Sequence, residues 1–224
     1  MRTQAVEDYL KVIYDLGRGG GAVTTSAIAG RLDVAPATVT GMVKKLAALN
    51  LVDHEHYHGV ALTEAGRNIA LEVIRHHRLV ERYLHEAMGV PWDQVHVEAE
   101  RWEHVLSEEM EERMDEILGS PTTDPHGSPI PSRDLEMVEV DHFLLARMVA
   151  GQKARVAEVG DEDAAMLRYF AELGLFPEAS VEVLAVAPFD GPLTLRVGDS
   201  ECSIGRIAAE HVFMTTPTGR ADDE

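Results

Sequence analysis

The chain has 224 residues, a formal net charge of −19 and a 45% hydrophobic content. That size and content suit two or three small domains, or one large one, and exclude a globally disordered chain. The lone cysteine, Cys202, excludes an intrachain disulfide framework and a multi-cysteine zinc site. With no basic-then-apolar leader and no apolar run of bilayer length in the sequence, the expectation is a cytoplasmic protein that makes no membrane contact.

The acidic charge is unevenly spread. Residues 1–74 hold seven Lys/Arg against eight Asp/Glu, residues 75–120 five against twelve, and residues 121–224 eight against nineteen. The front third can therefore offer DNA a locally basic face although the whole chain repels it.

In chain order, Val6, Tyr9, Leu10, Ile13 and Leu16 form one apolar stripe, which predicts a helix over 3–17. A glycine-rich turn follows, then a short helix capped by Thr25 or Ser26 and carrying Ile28, Ala29 and Leu32 inward. After "DVAP", the segment 37–50 predicts a third helix with Val39, Met42, Val43 and Leu46 buried. "LVDHEHYHGVALT" reads as two short strands around a turn at His58-Gly59. Three helices and a hairpin make the winged helix-turn-helix pattern.

Residues 66–88 predict a long helix packed through Ile69, Val73, Val80, Leu84 and Met88, with His77 and Glu81 one turn apart. Pro91 to Leu118 predicts one continuous helix whose buried face is Val95, Ala99, Trp102, Leu106 and Met110. On another face, His96, Glu100, Glu103 and His104 stand at i, i+4, i+7 and i+8. That set suits a divalent cation of intermediate softness, and it equally suits a solvated acidic helix with two surface histidines. "GSPTTDPHGSPIPSRD" is an irregular connection and the best domain boundary. Beyond it come a short helix and then a strand over 153–159, a helix over 163–173 ending at Gly174, and the punctuated strands of a small β-barrel. The last eight residues read as a frayed tail.

Taken together, "VEDYLKVIY", "TVTGMVKKL", "NLVDHEHYHGVALTEAG", "HHRLVERYL", "VHVEAERWEHVLSEEMEERM" and "DPHGSPIP" resemble the diphtheria-toxin-repressor family of metal-dependent transcriptional repressors, most closely its three-domain manganese-responsive type. "DEDAAMLRYFAELGLFPEASVEVL" resembles that family's SH3-like third domain. The resemblance implies a mainly α chain with a smaller β part. Its domains would be a winged helix-turn-helix over 1–74, a helical dimerisation and metal-binding domain over 75–140, and an SH3-like β-barrel over 141–224. It implies a homodimer that binds a palindromic double-stranded operator when metal is bound. It places a main metal site on Asp8, Glu100, Glu103 and His104, and an ancillary site on His77, Glu81 and His96 with Asp163 from the third domain.

The departures from the family are informative. Iron-responsive members carry methionine at Asp8 and cysteine at Glu100, and hard oxygen donors favour Mn²⁺ more than sulfur does, with Fe²⁺ or Co²⁺ as the other candidates. Small two-domain manganese regulators carry glutamate where Lys11 stands. A third-domain glutamine ligand of the iron repressors corresponds to Met166, so that contact is either missing here or supplied by Glu162. His76, Glu98 and His126 read as ordinary polar positions.

On the DNA side, the third helix would enter the major groove with Thr38 and Thr40 toward phosphate or thymine methyls, with Pro36 fixing its entry. Arg31, Lys44 and Lys45 would meet phosphates, and the hairpin around His56 to Gly59 would touch the backbone or the minor groove. Gly41 replaces a glutamine of the iron repressors and removes a bidentate adenine contact.

Two other functions fit the His/Glu clusters. A metalloenzyme is disfavoured because "HVEAERWEH" lacks the His-Glu-x-x-His spacing and its donors leave little room for a substrate water. A metal-storage or sensing protein without DNA binding would leave the winged-helix third without a role.

Overall fold

The computed structural model describes residues 3–18, 22–55, 59–138, 140–161 and 163–216. The His56 and His58 readings of the hairpin tip, the Glu162 alternative and the frayed tail lie outside them. The chain forms two compact units, each assembled from separate stretches. The first is Met1–His77, Glu100–Glu112 and Pro131–Met137; the second is Arg78–Ala99, Arg113–Ile130 and Val138–Glu224.

The first unit is the winged helix-turn-helix with parts of the helical region. Helices α1 (Gln4–Gly17), α2 (Thr25–Leu32) and α3 (Pro36–Ala48) precede the antiparallel hairpin β1 (Val52–Glu55) and β2 (Gly59–Leu62). Thr24, rather than Thr25 or Ser26, caps α2 and accepts the Ala27 N–H at 3.1 Å. Asp33 closes that helix in a left-handed conformation (φ 51°), and Pro36 sits in the first turn of α3, where its missing N–H costs nothing. Val6, Leu10, Ile13, Ile28, Val39, Val43, Leu46 and Val60 form the core. Each fully buried aliphatic side chain contributes roughly 1.5–3 kcal/mol, so this core fixes the helices that carry the polar groups described below.

Helix α4 spans Glu64–Glu86, matching the expected long helix within two residues. Met88, expected to pack, is exposed. The central helix is broken. It appears as α5 (Val95–Trp102) and α6 (Glu108–Ile117), with residues 103–107 between them. Ser107 begins α6: its carbonyl accepts the Glu111 N–H at 2.9 Å and its hydroxyl the Met110 N–H at 3.4 Å. The break shifts the helical phase, so Val95 and Ala99 are buried while Met110 is exposed.

The second unit holds a six-stranded antiparallel sheet. Its strands are β3 (Phe143–Leu144), β4 (Lys153–Val159), β5 (Ser180–Val186), β6 (Leu193–Val197), β7 (Ser200–Ile204) and β8 (Val212–Thr215), in the order β3-β8-β4-β5-β6-β7. Helix α7 (Ala164–Glu172) packs Leu167 and Phe170 onto it, and the short α8 (Arg206–Ala209) precedes β8. Met166 is a partly buried member of this core. The proline-rich connection lies against β4, where the Val159 N–H donates to the His126 carbonyl at 2.9 Å and Ser128 Oγ to Glu158 at 2.7 Å. Gly127 (φ +94°) allows that approach, because a Cβ there would stand 2.0 Å from the Ala157 carbonyl oxygen. No helix among the described residues is long and apolar enough to cross a membrane.

Candidate metal centres and DNA-reading face

In the first unit, Asp8 and Lys11 lie one turn apart on α1, while Glu103 and His104 come from the break between α5 and α6. On a continuous helix two consecutive side chains diverge by about 100°. Freed from that constraint, Glu103 Oε1 and His104 Nε2 stand 3.2 Å apart, and Asp8 Oδ1 is 2.8 Å from the same nitrogen. These three residues form one group with metal-ligand spacing. Glu103 Oε1 and His104 Nε2 are buried without a hydrogen bond of acceptable geometry, as expected of donors suited to a cation.

Glu7, which the sequence reading passed over, is buried and bonds His104 Nδ1 at 2.6 Å. A carboxylate on the far nitrogen orients a ligating imidazole and raises its basicity. Burial pushes the Asp8 carboxyl above its ordinary value against the pull of His104, and Glu103 and Glu100 push it further up. A divalent ion there would reverse that shift.

Glu103 points its second oxygen the other way. Oε2 accepts from Lys11 Nζ at 2.8 Å and is bonded to His77 Nδ1. Lys11 also donates to Glu100 Oε1 at 2.9 Å and stands 3.2 Å from His77 Nδ1. Burial raises the Glu103 carboxyl, but the His77 hydrogen bond and the Lys11 charge overcome it and hold it below its ordinary value. Burial likewise pushes the Lys11 ammonium down, and Glu103 and Glu100 outweigh that and hold it up. Glu100, expected beside Asp8, thus groups with His77 and Glu103, so the expected main-site ligands divide between two groups that share Glu103.

In the second unit, Glu81 Oε1 lies 3.2 Å from His96 Nδ1, which is 3.6 Å from Asp161 Oδ2. Asp163, expected in this set, instead caps α7, with Oδ1 accepting the N–H groups of Ala165 and Met166 at 2.7 and 3.3 Å. A capping carboxylate is committed to the backbone. Asp161, two residues earlier, stands beside the histidine.

The same place gathers two residues read as ordinary or not singled out. Glu81, Asp124, His126 and Asp161 form a group with ligand spacing. Asp124 Oδ1 accepts the N–H groups of His126 and Ser128 at 2.8 and 3.0 Å, and His126 Nε2 is fixed by the Trp92 carbonyl at 2.8 Å. Asp124 Oδ2 is buried without a hydrogen bond, 3.8 Å from Arg78 Nε, and His126 Nδ1 stands 3.8 Å from Glu81 Oε2, beyond hydrogen-bonding reach. Two oxygen or nitrogen ligands about 2.1 Å from one ion are spaced roughly 3–4 Å apart, so the separations suit a shared cation. Burial and the Glu81 charge push the Asp124 carboxyl up to about 7 against Arg78. Burial lowers the His126 imidazole, but Glu81 and the other carboxylates raise it to about 9.

The DNA-reading candidates share one character. Arg31, Pro36, Thr38, Thr40, Lys44 and Lys45 are all exposed, while the opposite face of α3 buries Val39, Val43 and Leu46. Thr40 Oγ1 donates to the Pro36 carbonyl at 3.0 Å, which leaves its methyl as the free end.

A winged helix-turn-helix joined to histidine–carboxylate clusters defines a metal-responsive DNA-binding protein. Residues 1–60 match the family model for the iron-dependent repressor N-terminal DNA-binding domain, residues 63–132 that for its metal-binding and dimerisation domain, and residues 143–215 the FeoA domain. The chain is 35% identical over 189 residues to the iron-dependent repressor IdeR of Mycobacterium tuberculosis, covering 79% of this chain and 82% of that one. It is 38% identical over 128 residues to the diphtheria toxin repressor of Corynebacterium diphtheriae, 57% of each chain. Among solved structures, a manganese-dependent transcriptional repressor in complex with manganese is similar with a TM-score of 0.88 and 36% identity, covering 94% of this chain and 99% of that one. ScaR with bound Zn²⁺ is similar with a TM-score of 0.80 and 31% identity, covering 94% and 99%.

The chain belongs to the iron-dependent repressor family of the diphtheria toxin repressor. It is a metal-dependent transcriptional repressor and not an enzyme, with DNA and a second copy of itself as partners.

Proposed function

We propose that this repressor is manganese-responsive, works in the cytoplasm, and as a metal-activated dimer binds a palindromic operator controlling metal-uptake genes. The observation that carries the reading is the donor chemistry of Asp8, Glu103 and His104: two carboxylates and one imidazole, with no sulfur. Hard oxygen donors accept Mn²⁺ without giving softer competitors the advantage that a thiolate or thioether would. The similar structure named as a manganese complex supports the same choice.

Glu81, His96, Asp124, His126 and Asp161 supply donors for a second ion, and His77 on α4 is a further candidate ligand beside Glu100 and Glu103. The bound ion would supply positive charge that draws α1 to the Glu103–His104 turn. This biases the DNA-binding elements toward one arrangement, a coupling that must be reciprocal with operator binding. Arg31, Lys44 and Lys45 would neutralise phosphates while Thr38 and Thr40 face the groove and Pro36 sets the entry of α3. Exposed Val97, Val105, Met110 and Ile117 on and between α5 and α6 offer apolar area for the dimer contact.

The test is gel retardation on a palindromic promoter fragment, anaerobically, with Mn²⁺, Fe²⁺, Co²⁺ or chelator. Retardation at the lowest free concentration of Mn²⁺, scaled to each ion's position in the general affinity order, is expected. Retardation in chelator equal to that in metal would refute the metal switch. A response to Fe²⁺ far beyond that order would favour the iron-dependent reading.

A further inference from the structure

We propose that His76 is a positioning residue: its Nδ1–H holds the Glu103 main-chain carbonyl at the break between α5 and α6, and so aims the side chains of Glu103 and His104. The inference rests on the reading of Asp8, Glu103 and His104 as holding a divalent ion, and adds to it a residue that touches no ion.

Two consecutive histidines of α4 grip one residue. His77 Nδ1 is bonded to the Glu103 carboxylate, and His76 Nδ1 lies 3.0 Å from the Glu103 carbonyl oxygen. Consecutive side chains on a helix diverge by about 100°, so one histidine reaches the side chain while the other reaches the backbone. His76 is 6% exposed and Glu103 1%. A carbonyl buried to that degree costs free energy unless a donor meets it. In a continuous helix the donor would be the Ser107 N–H. Here α5 stops at Trp102, whose carbonyl takes the Val105 and Leu106 N–H groups, each at 3.0 Å, and Ser107 opens α6. His76 stands in for the helical donor.

The far side of the ring is anchored. His76 Nε2 lies 3.0 Å from Glu111 Oε2, Arg75 Nε donates to Glu111 Oε1 at 2.5 Å, and Arg75 Nη1 donates to the Pro131 carbonyl at 2.7 Å. A carbonyl and a carboxylate both accept, so the ring donates from both nitrogens and keeps no lone pair for a metal ion. Among the described residues, no group with ligand spacing includes His76. It acts instead through the turn. Glu103 Oε1 and His104 Nε2 stand 3.2 Å apart on consecutive residues, so a rotation of the peptide that joins them would part them.

The experiment uses two amide variants of the full chain, each verified as folded by circular dichroism. In His76→Asn the side-chain N–H overlies Nδ1, keeping the donor to the carbonyl and losing Glu111. In His76→Gln it overlies Nε2, keeping Glu111 and leaving the carbonyl unmet. Mn²⁺ affinity is titrated against a fluorescent chelator, with His104→Ala marking the binding step that belongs to this centre. Stability of the metal-free proteins is measured by urea unfolding. His76→Gln is expected to weaken that step about 10–100-fold, the range for groups that orient metal ligands. His76→Asn is expected to keep most of the wild-type affinity although it too loses a buried bond and stability. A histidine that served only stability would weaken Mn²⁺ binding in step with unfolding in both variants.

Wild-type affinity in His76→Gln, or an equal or greater loss in His76→Asn, overturns the proposal. A second measurement needs no variant. Nitrogen magnetic resonance of the assigned His76 ring in wild type is expected to show a proton on each nitrogen with and without Cd²⁺ as a diamagnetic probe ion. Loss of the Nδ1 proton on adding Cd²⁺ would make His76 a ligand and overturn the positioning role. If His104→Ala removes no binding step, the underlying metal reading falls, and this proposal with it.

Discussion

Replacing Gly127 by alanine tests the packing of the proline-rich connection and the proposed second metal centre together. The added Cβ would meet the Ala157 carbonyl oxygen at 2.0 Å and the Ala157 carbonyl carbon and Glu158 Cα at 3.0 Å. Carbon and oxygen ordinarily approach no closer than about 3.3 Å, so the loop must lift by roughly 1 Å. Lifting strains the two bonds that seat it on β4, Val159 N–H to His126 and Ser128 Oγ to Glu158. At about 1 kcal/mol each these lose about 2 kcal/mol, and a non-glycine residue at φ +94° adds about 1 kcal/mol or more. Reduced freedom of the unfolded chain returns about 0.5–1 kcal/mol.

The net loss is about 2–3 kcal/mol, a fall of roughly 5–10 °C in Tm for a protein of this size. Calorimetry of metal-free protein measures it, with Gly30→Ala as control. Gly30 is exposed within α2 with nothing within 4 Å of its would-be Cβ, so alanine there should raise stability by about 0.5–1 kcal/mol. Because Asp124 and His126 lie just before Gly127, the variant should also lose part of the stabilisation expected from a divalent ion held at the proposed second centre. A Gly127→Ala melting point within 1 °C of wild type, or equal losses in the two variants, would refute the reasoning.

Two further outcomes are expected. Burial raises the Glu111 carboxyl, but hydrogen bonds from His76 and Arg75 overcome it and hold it below its ordinary 4.5. Its contribution is therefore fully present above that value and lost as pH falls through the lower folded-state value. Glu111→Gln should cost about 1–3 kcal/mol at pH 7 and progressively less as acid protonates the wild-type carboxylate, measured by urea unfolding across pH 3–7; a cost independent of pH would contradict this. Asp8→Met with Glu100→Cys should raise the Mn²⁺ midpoint for DNA binding and shift the Mn²⁺/Co²⁺ ratio at least about tenfold toward Co²⁺. Anaerobic titrations that leave the ratio unchanged would remove oxygen donors as the basis of selectivity.

The winged helix-turn-helix was legible because its helices alternate buried and exposed positions at the helical period: Val6, Leu10 and Ile13 on α1, Val39, Val43 and Leu46 on α3. The strand Lys153–Val159 was legible to the residue. The break after Trp102 was not, because Leu106 and Met110 continue the apolar spacing across it and only Ser107 marks a new start. Glu103 and His104 were nevertheless identified as candidates, since a donor pair is visible by composition whatever backbone carries it. The second candidate cluster was visible only in part. Glu81 and His96 stood on helices, whereas Asp124, His126 and Asp161 lie in irregular segments that converge through long-range packing, and no sequence period connects 81, 126 and 161. Asp163 was named from the resemblance alone, although it directly precedes α7, which is the place of a capping residue.

The strand order carries a consequence for how the molecule is made. β8, the last strand in chain order among the described residues, is not an edge: it lies between β3 and β4, pairing Phe143 with Met214 and Val156 with the same Met214. β3 is joined to the sheet through β8, so the sheet stays split until residues 212–215 emerge. Pairings this distant in sequence form slowly, whereas the local α1–α3 contacts close early. During synthesis there is thus an interval in which the DNA-reading helices are folded while the sheet beside the loop of Asp124 and His126 is still open.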